Sequence, residues 1–135
     1  MRLSKKSEYA CLALLFLSRE YAAGEPVRIA RICQSQRIPQ KYLEQILLHL
    51  KNAGYVQSVR GVNGGYRLAK DPEQITMAEI VRLIDGPIAP VASASKYYYA
   101  STPIEREEKL LEVFREIRNT VSDKLEGITF ADLIK

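Results

Sequence analysis

The sequence has two cysteines, one histidine and no tryptophan in its 135 residues. Two cysteines, Cys11 and Cys33, are too few for a disulfide framework, and this favours a reducing, cytoplasmic setting. With His49 as the one histidine, neither a catalytic nucleophile–base set nor a metal-ligand cluster is indicated, so we expect no enzyme and no metal site. The longest apolar run extends only from Tyr9 to Leu17, which is too short to span a bilayer.

Positive charge is plentiful but unevenly distributed. The formal net charge is +4. Residues 1–71 carry 12 Lys/Arg and 5 Asp/Glu, whereas residues 72–135 carry 8 Lys/Arg and 11 Asp/Glu. The basic first half predicts contact with a polyanion, and a solvated surface of uneven charge is the alternative.

Hydrophobic spacing and turn residues predict a mostly α fold with one small hairpin. We expect helices over residues 4–21, 27–34, 40–52, 76–85 and 104–126, a short last helix from Thr129, and a tight connection over 35–39. The hairpin covers residues 55–69, with Asn63-Gly64 as a two-residue turn. The inward side of the second helix is predicted to be Val27, Ile29, Ala30 and Cys33.

This order of helices followed by a hairpin is the plan of a winged helix-turn-helix, which binds DNA by placing one helix in the major groove. The third helix begins with polar residues able to meet base edges, namely Gln40, Lys41, Glu44 and Gln45. Its other face, Tyr42, Leu43, Ile46 and Leu47, can turn inward. Ser35, Gln36 and Arg37 in the preceding turn are candidates for phosphate contacts. A solvated helix face is the alternative reading.

The hairpin predicts a second DNA contact, since its tip is cationic and has little side-chain bulk. The tip residues are Arg60, Gly61, Asn63, Gly64, Gly65, Tyr66 and Arg67. Glycine lets a backbone approach a phosphate, and arginine inserts into a narrow minor groove. A plain tight hairpin is the alternative. The tip is not a nucleotide-binding loop, because no Gly-Lys-Ser/Thr ending follows.

Several blocks of the sequence resemble the Rrf2 family of bacterial transcription regulators. They are residues 3–10 (LSKKSEYA), 38–47 (IPQKYLEQIL), 50–56 (LKNAGYV), 58–69 (SVRGVNGGYRLA), 75–76 (IT), 79–80 (EI) and 85–86 (DG). The resemblance covers about the first 90 residues. It implies a homodimer with two winged domains, and DNA contacts from Lys5, the third helix and the wing, so that Tyr42 joins the predicted DNA-binding set.

The resemblance also implies a long C-terminal helix that crosses the dimer. Residues 104–126 carry the matching apolar stripe, formed by Leu110, Val113, Phe114, Ile117, Val121 and Leu125. Such a stripe needs an apolar partner. The alternative is packing onto its own domain.

The chain departs from the best-known family members in the loop before that helix. Those members hold an iron–sulfur cluster there with three cysteines, but residues 87–103 contain no cysteine or histidine, so we expect no cofactor. Members without these cysteines include a regulator of cysteine metabolism with a similar Gly-Pro-Ile-x-Pro-Val stretch, for which the resemblance implies a partner enzyme. The run Tyr97-Tyr98-Tyr99 either forms an effector pocket or partner surface, or packs on the dimer helix.

Together these features predict a winged helix-turn-helix domain over residues 1–86, a loop over 87–103, and a dimerisation region over 104–135. The predicted function is sequence-specific regulation of transcription, by repression, as a homodimer on a pseudo-palindromic operator in double-stranded DNA. A winged-helix protein-interaction module, acting through a partner protein, is the alternative.

Overall fold

A computed structural model describes residues 2–97 and 99–135, and this part of the chain is mostly helical with one two-stranded hairpin. The helices are α1 (Lys5–Arg19), α2 (Ile29–Gln36), α3 (Gln40–Asn52), α4 (Met77–Asp85), α5 (Glu108–Glu126) and α6 (Phe130–Leu133). The strands β1 (Val56–Val59) and β2 (Gly65–Leu68) pair antiparallel between α3 and α4. The predicted fold class is confirmed.

Helix α1 is the central element of the core. Ala10, Ala13, Leu14 and Leu17 are at most 1% exposed, as expected for a helix that is apolar around most of its middle. Ser4 caps its N-terminus by accepting a hydrogen bond from the Ser7 amide. The Ser4 amide and hydroxyl in turn donate to the carboxylate of Asp85 at the end of α4. These bonds hold the start of α1 against the end of α4.

Helix α2 differs from the prediction in both bounds and phase. Val27 does not begin the helix, because it forms a β-bridge with Tyr66 in which each backbone amide donates to the other residue's carbonyl, at 2.7 and 2.8 Å. The helix therefore starts at Ile29 and runs through Ser35 and Gln36. With this phase Ile32 is fully buried and Ala30 is exposed, so the predicted inward position of Ala30 is wrong.

The hairpin is present, but its turn is longer than predicted. Val59 pairs with Gly65, which leaves a five-residue loop over 60–64 rather than a two-residue Asn63-Gly64 turn. Within this loop the Gly64 amide donates to the Gly61 carbonyl at 3.0 Å. A Cβ on Gly64 would lie 2.2 Å from the Val59 carbonyl oxygen. Glycine is required there because the loop folds back onto its own strand.

Helix α4 begins with the predicted capping box of Thr76 and Glu79. Helix α5 starts at Glu108 rather than at residue 104, because residues 103–106 form a 3-10 turn. Its 19 residues make it about 28 Å long, at about 1.5 Å per residue.

The C-terminal residues return to the core of the first half. Helix α6 has the predicted cap, Thr129 with Asp132, and Phe130 is fully buried in the same cluster as Leu14 and Leu17. The Phe130 amide donates to the Ile75 carbonyl at 3.0 Å. The domain division at residue 86 stays a prediction, but the last residues contribute to the core of the winged unit. Over residues 2–97 and 99–135, no helix has both the length and the apolar character that a membrane crossing requires.

Candidate nucleic-acid interface

Helix α3 buries one face and exposes the opposite one. Leu43, Ile46, Leu47 and Leu50 are at most 1% exposed and pack on α1, α2 and β1. Gln40, Lys41, Glu44 and Gln45 are exposed, as the sequence predicts. The Gln40 Nε2 amide donates to the Glu44 carboxylate at 3.1 Å, which couples two candidate base-reading groups one helical turn apart.

Tyr42 does not face inward, so that expectation is wrong. Its side chain is 56% exposed, and its ring centroid lies 6.0 Å from that of Tyr9 on α1. The buried arc of α3 is already filled by leucine and isoleucine, and this leaves Tyr42 at its edge. The position suits the DNA-contacting role that the family resemblance implies for Tyr42.

Lys5 lies at the same edge of the molecule. Its ammonium group is 5.7 Å from the centroid of the Tyr9 ring and 3.6 Å from the Glu8 carboxylate, with both charged groups largely exposed. Tyr9 therefore links Lys5 to Tyr42. The spacing of apolar residues gave no reason to select Tyr9, since its role depends on how α1 crosses α3.

Of the three residues predicted to lie in the turn before α3, only Arg37 does so. Ser35 and Gln36 belong to the end of α2. Arg37 has φ 55° and ψ 47°, the left-handed conformation, and within residues 2–97 and 99–135 it is the one non-glycine residue with positive φ. Its side chain is exposed next to the start of α3.

The tip of the wing presents Arg60, Gly61 and Asn63 to solvent, as predicted. The adjoining glycines serve the interior instead. Gly64 is buried, and a Cβ on Gly65 would lie 2.3 Å from the Val27 carbonyl oxygen. Tyr66 is half-buried and packs against the core. Their predicted DNA contacts stay predictions, but close backbone packing explains why Gly64 and Gly65 are glycines.

Arg28 is a residue that the sequence reasoning missed. Its guanidinium donates to the Val62 carbonyl at the wing tip, and the residue itself precedes the first residue of α2. Together with the bridge from Val27 to Tyr66, this bond fastens the wing to the helix-turn-helix. The contact spans 34 positions in sequence and could be found only from the fold.

The predicted dimerisation stripe on α5 divides into two parts. Leu110, Val113 and Ile117 are 44–49% exposed, while Phe114, Val121 and Leu125 are half-buried. Val121 and Leu125 pack on α4 and Ile88. Leu111, which was not in the predicted stripe, is 4% exposed and holds the inner side of α5. An apolar strip of α5 is thus left uncovered in the single chain.

Two tyrosines of the loop, Tyr97 and Tyr99, do not pack into the interior. Tyr97 and Tyr99 are 59% and 60% exposed, and Tyr98 lies outside the described residues. The Tyr97 ring faces the Arg82 guanidinium at 4.8 Å, and the Tyr99 hydroxyl donates to Glu105. The loop itself is anchored by Ile88, Ser93 and Ala94, which are at most 4% exposed.

The two cysteines have the character of packing residues. Both are partly buried against the core. Burial, and to a lesser extent the Asp85 carboxylate, raise the pKa of the Cys11 thiol to about 11. Burial also raises the pKa of Cys33, with a smaller opposing effect from a backbone hydrogen bond. Neither thiol is favoured as the thiolate that binds metals.

Comparison with known proteins gives consistent matches over nearly the whole chain. Residues 3–135 match the profile of the Rrf2 family, described as "Iron-dependent Transcriptional regulator". The HTH-type transcriptional regulator CymR of Bacillus subtilis is 33% identical over 133 residues, which is 98% of this chain and 89% of that protein. The solved structure described as CymR, the global cysteine regulator of B. subtilis, aligns with a TM-score of 0.78 at 32% identity, covering 99% of this chain and 96% of that one. T. potens IscR aligns with a TM-score of 0.77 at 28% identity, covering 99% and 86% of the two chains.

The iron named in the family description does not fit the donor atoms of this chain. Iron–sulfur clusters need several thiolate or imidazole ligands within a few ångströms. Within residues 2–97 and 99–135, no three His, Cys, Asp or Glu side chains come together as a metal site. Residues 87–103 offer hydroxyl groups and one lysine, and Cys11 and Cys33 lie on α1 and α2. We therefore assign no step of the function to iron.

Proposed function

Because this chain belongs to the Rrf2 family of HTH-type transcriptional regulators, we propose that it binds a pseudo-palindromic operator as a homodimer and represses transcription in the cytoplasm. One observation carries the proposal: the exposed polar face of α3 directly follows the exposed Arg37 and includes Tyr42, which Tyr9 links to Lys5. The net charge of +7 over residues 1–71 suits a DNA-facing half.

The two kinds of contact have separate roles in this proposal. Gln40, Lys41, Glu44 and Gln45 read base edges in the major groove, where glutamine pairs with adenine, glutamate with cytosine, and lysine with guanine. Lys5, Arg37 and Arg60 neutralise phosphates or enter the minor groove, which sets affinity and orientation but carries little sequence information. Arg28 acts through the wing by holding its tip carbonyl.

A homodimer would cover the apolar strip on α5. Leu110, Val113 and Ile117 recur along one side of α5 and stay largely exposed in the single chain. Two copies joined there would present two α3 helices to successive major grooves, whose half-sites are about 34 Å apart. Binding to DNA on one face of the helix would then block transcription by occupancy.

Selection of DNA from a random pool by the purified protein tests the proposal and defines the operator. We expect Arg60→Ala to weaken operator and random duplex alike. Gln40→Ala and Glu44→Ala should change the selected sequence, with a loss of about 5- to 160-fold at the base pair concerned, equivalent to about 1–3 kcal/mol. Arg19→Ala, at the far end of α1, is the matched control and should bind as the parent does.

Two results would contradict the proposal. The first is that all three variants bind operator and random duplex as the parent does. The second is that binding to duplex DNA does not weaken as salt rises, which would favour a module that binds a protein instead.

Repression is tested separately with a reporter gene behind the selected operator. Expression should fall when the parent protein is present. It should recover with a variant that combines Arg60→Ala, Gln40→Ala and Glu44→Ala.

A further inference from the structure

Leu48 is an apolar residue at the centre of the exposed face of α3. Its side chain is 54% exposed, while Leu43, Ile46, Leu47 and Leu50 on the same helix are at most 1% exposed. At about 100° per residue, Leu48 points about opposite to the middle of that buried set. Glu44 and Gln45, which are assigned to base reading, lie four and three residues before Leu48, so the leucine extends that surface by one turn toward the end of α3.

Packing within residues 2–97 and 99–135 leaves more than half of the Leu48 side chain exposed. Helix α3 contacts its neighbours through α1, α2 and β1. The uncovered apolar strip that we assign to the dimer lies on α5, which packs on α4 and the loop before it. An exposed leucine costs little on a surface, but on this helix it faces the same side as the polar residues that lead into the groove. Its partner should therefore be sought on the DNA.

The major groove has one apolar feature, the C5-methyl group of thymine. Gln45 lies three residues before Leu48, and side chains at this spacing are neighbours, with Cβ atoms about 5–6 Å apart. Glutamine pairs with the N6 and N7 atoms of adenine. A glutamine and a leucine side by side thus match adenine and thymine groups on one base pair or on adjacent pairs.

We propose that Leu48 is a specificity-determining residue that contacts a thymine methyl group in each half-site, next to an adenine read by Gln45. The inference rests on the proposed function, because it requires α3 to enter the major groove. It adds a definite sequence feature: each half-site contains an A·T pair whose thymine is recognised through its methyl group and not only through hydrogen bonds.

Uracil substitution isolates that methyl group. In the operator selected by the parent protein, each thymine is replaced singly by uracil, which removes the methyl and keeps base pairing. At one thymine position in each half-site, this single replacement should weaken operator binding about fourfold, which is the effect of removing one buried methyl-sized group. Leu48→Ala should weaken binding to the thymine operator by at least as much. This variant should bind the thymine and uracil operators with equal affinity, because it no longer contacts the methyl group.

Leu133→Ala is the matched control, since Leu133 is a leucine of similar exposure, 44%, on α6. It should keep the parent's sensitivity to uracil. The inference is overturned if no single uracil weakens the parent, or if Leu48→Ala still distinguishes thymine from uracil. It is also overturned if Leu48→Ala changes the sedimentation of the free protein, which would make Leu48 a protein contact. Failure of the parent to select any operator would instead refute the proposed function itself.

Discussion

At the scale of single residues, Arg37 has an energetically unfavourable, left-handed backbone conformation. The left-handed conformation brings the Cβ of a non-glycine residue close to the next carbonyl oxygen, at a cost of about 1–2 kcal/mol. Arg37 adopts it at the C-terminus of α2, where the Ile38 amide donates to the Cys33 carbonyl at 3.1 Å and closes the helix. A long cation retained at such a position, exposed beside α3, points to a role outside the fold.

We expect Arg37→Gln and Arg37→Gly to lose a phosphate contact in each subunit. The slope of log affinity against log salt on random duplex should become shallower by about 1.8 for the dimer, since each neutralised phosphate contributes about 0.9. Fluorescence anisotropy over a salt series measures this slope. Arg37→Gly should also unfold at or above the parent's temperature, because relief of strain offsets the entropy that glycine adds to the unfolded chain.

Arg19→Gln serves as the control, because it removes one exposed cation about 21 Å along α1 from Lys5. It should leave the slope unchanged. If Arg37→Gly and Arg37→Gln keep the parent's slope, Arg37 makes no phosphate contact and the residue serves the turn alone.

Residue burial could be predicted from the sequence where the periodic pattern is strong and not where it is weak. The four buried residues of α3 recur at spacings of three and four, and this pattern, which also included Tyr42, identifies the buried face correctly. Tyr42 and Ala30 sit at the margins of their helices' apolar arcs, where a change of phase by one residue reverses the result. Leu48 falls outside this pattern, which therefore gives it no place in the core and no other role.

At the scale of elements, the wing shows which information the sequence lacks. Asn63-Gly64 is a strong signal for a two-residue turn, and the strands do form around it. The register is fixed instead by Val27, whose bridge to Tyr66 adds a third backbone segment beside β2. That pairing joins residues 39 positions apart, so local turn chemistry could predict the hairpin but not the length of its loop.

Helix α5 is the element that we expect to make the dimer. Val113→Asp with Ile117→Asp places two charges on its exposed apolar strip. Burial of each large apolar side chain in the dimer interface would contribute about 1.5–3 kcal/mol to association, and the charges remove this contribution. The double variant should sediment as a monomer with the parent's circular dichroism, because neither residue is buried in the single chain. Its affinity for the full operator should fall to that for a half-site.

Asn119→Asp adds a charge to the opposite, exposed side of α5 and should remain a dimer. A double variant that stays dimeric, or a monomer that binds the full operator as tightly as the parent, would show that subunits associate through another surface.

At the scale of the whole molecule, the charge asymmetry and the chain path agree. The winged unit holds the basic half of the sequence, and α5 follows in the acidic half. Yet the last residues return to the winged unit, where Phe130 packs in its core and the Met77 amide donates to the Ile128 carbonyl at 2.9 Å. Sequence patterns identified α6 and its cap but not this return, because a four-residue helix carries no signal for its partner.

The whole molecule also bears on iron, since a cluster needs several ligands that converge on one place. The loop before α5 supplies no thiol or imidazole, and the candidate thiols, Cys11 and Cys33, belong to two helices of the winged unit. Two cysteines per chain fall short of the usual four cluster ligands. A cluster shared by both copies would have to form within the cores of the winged units, where burial raises the pKa of Cys11 and opposes the thiolate.

We therefore expect protein purified without oxygen to contain no stoichiometric iron or sulfide, and to bind its operator with equal affinity before and after treatment with an iron chelator. Iron and sulfide assays, a visible spectrum and anisotropy titrations measure these properties. Cys11→Ala with Cys33→Ala should bind operator as the parent does, because each thiol acts as a small apolar side chain. A coloured cluster in the parent that disappears in the double variant, together with a changed operator affinity, would refute this prediction. The regulator would then sense iron through the winged unit rather than through the loop before α5.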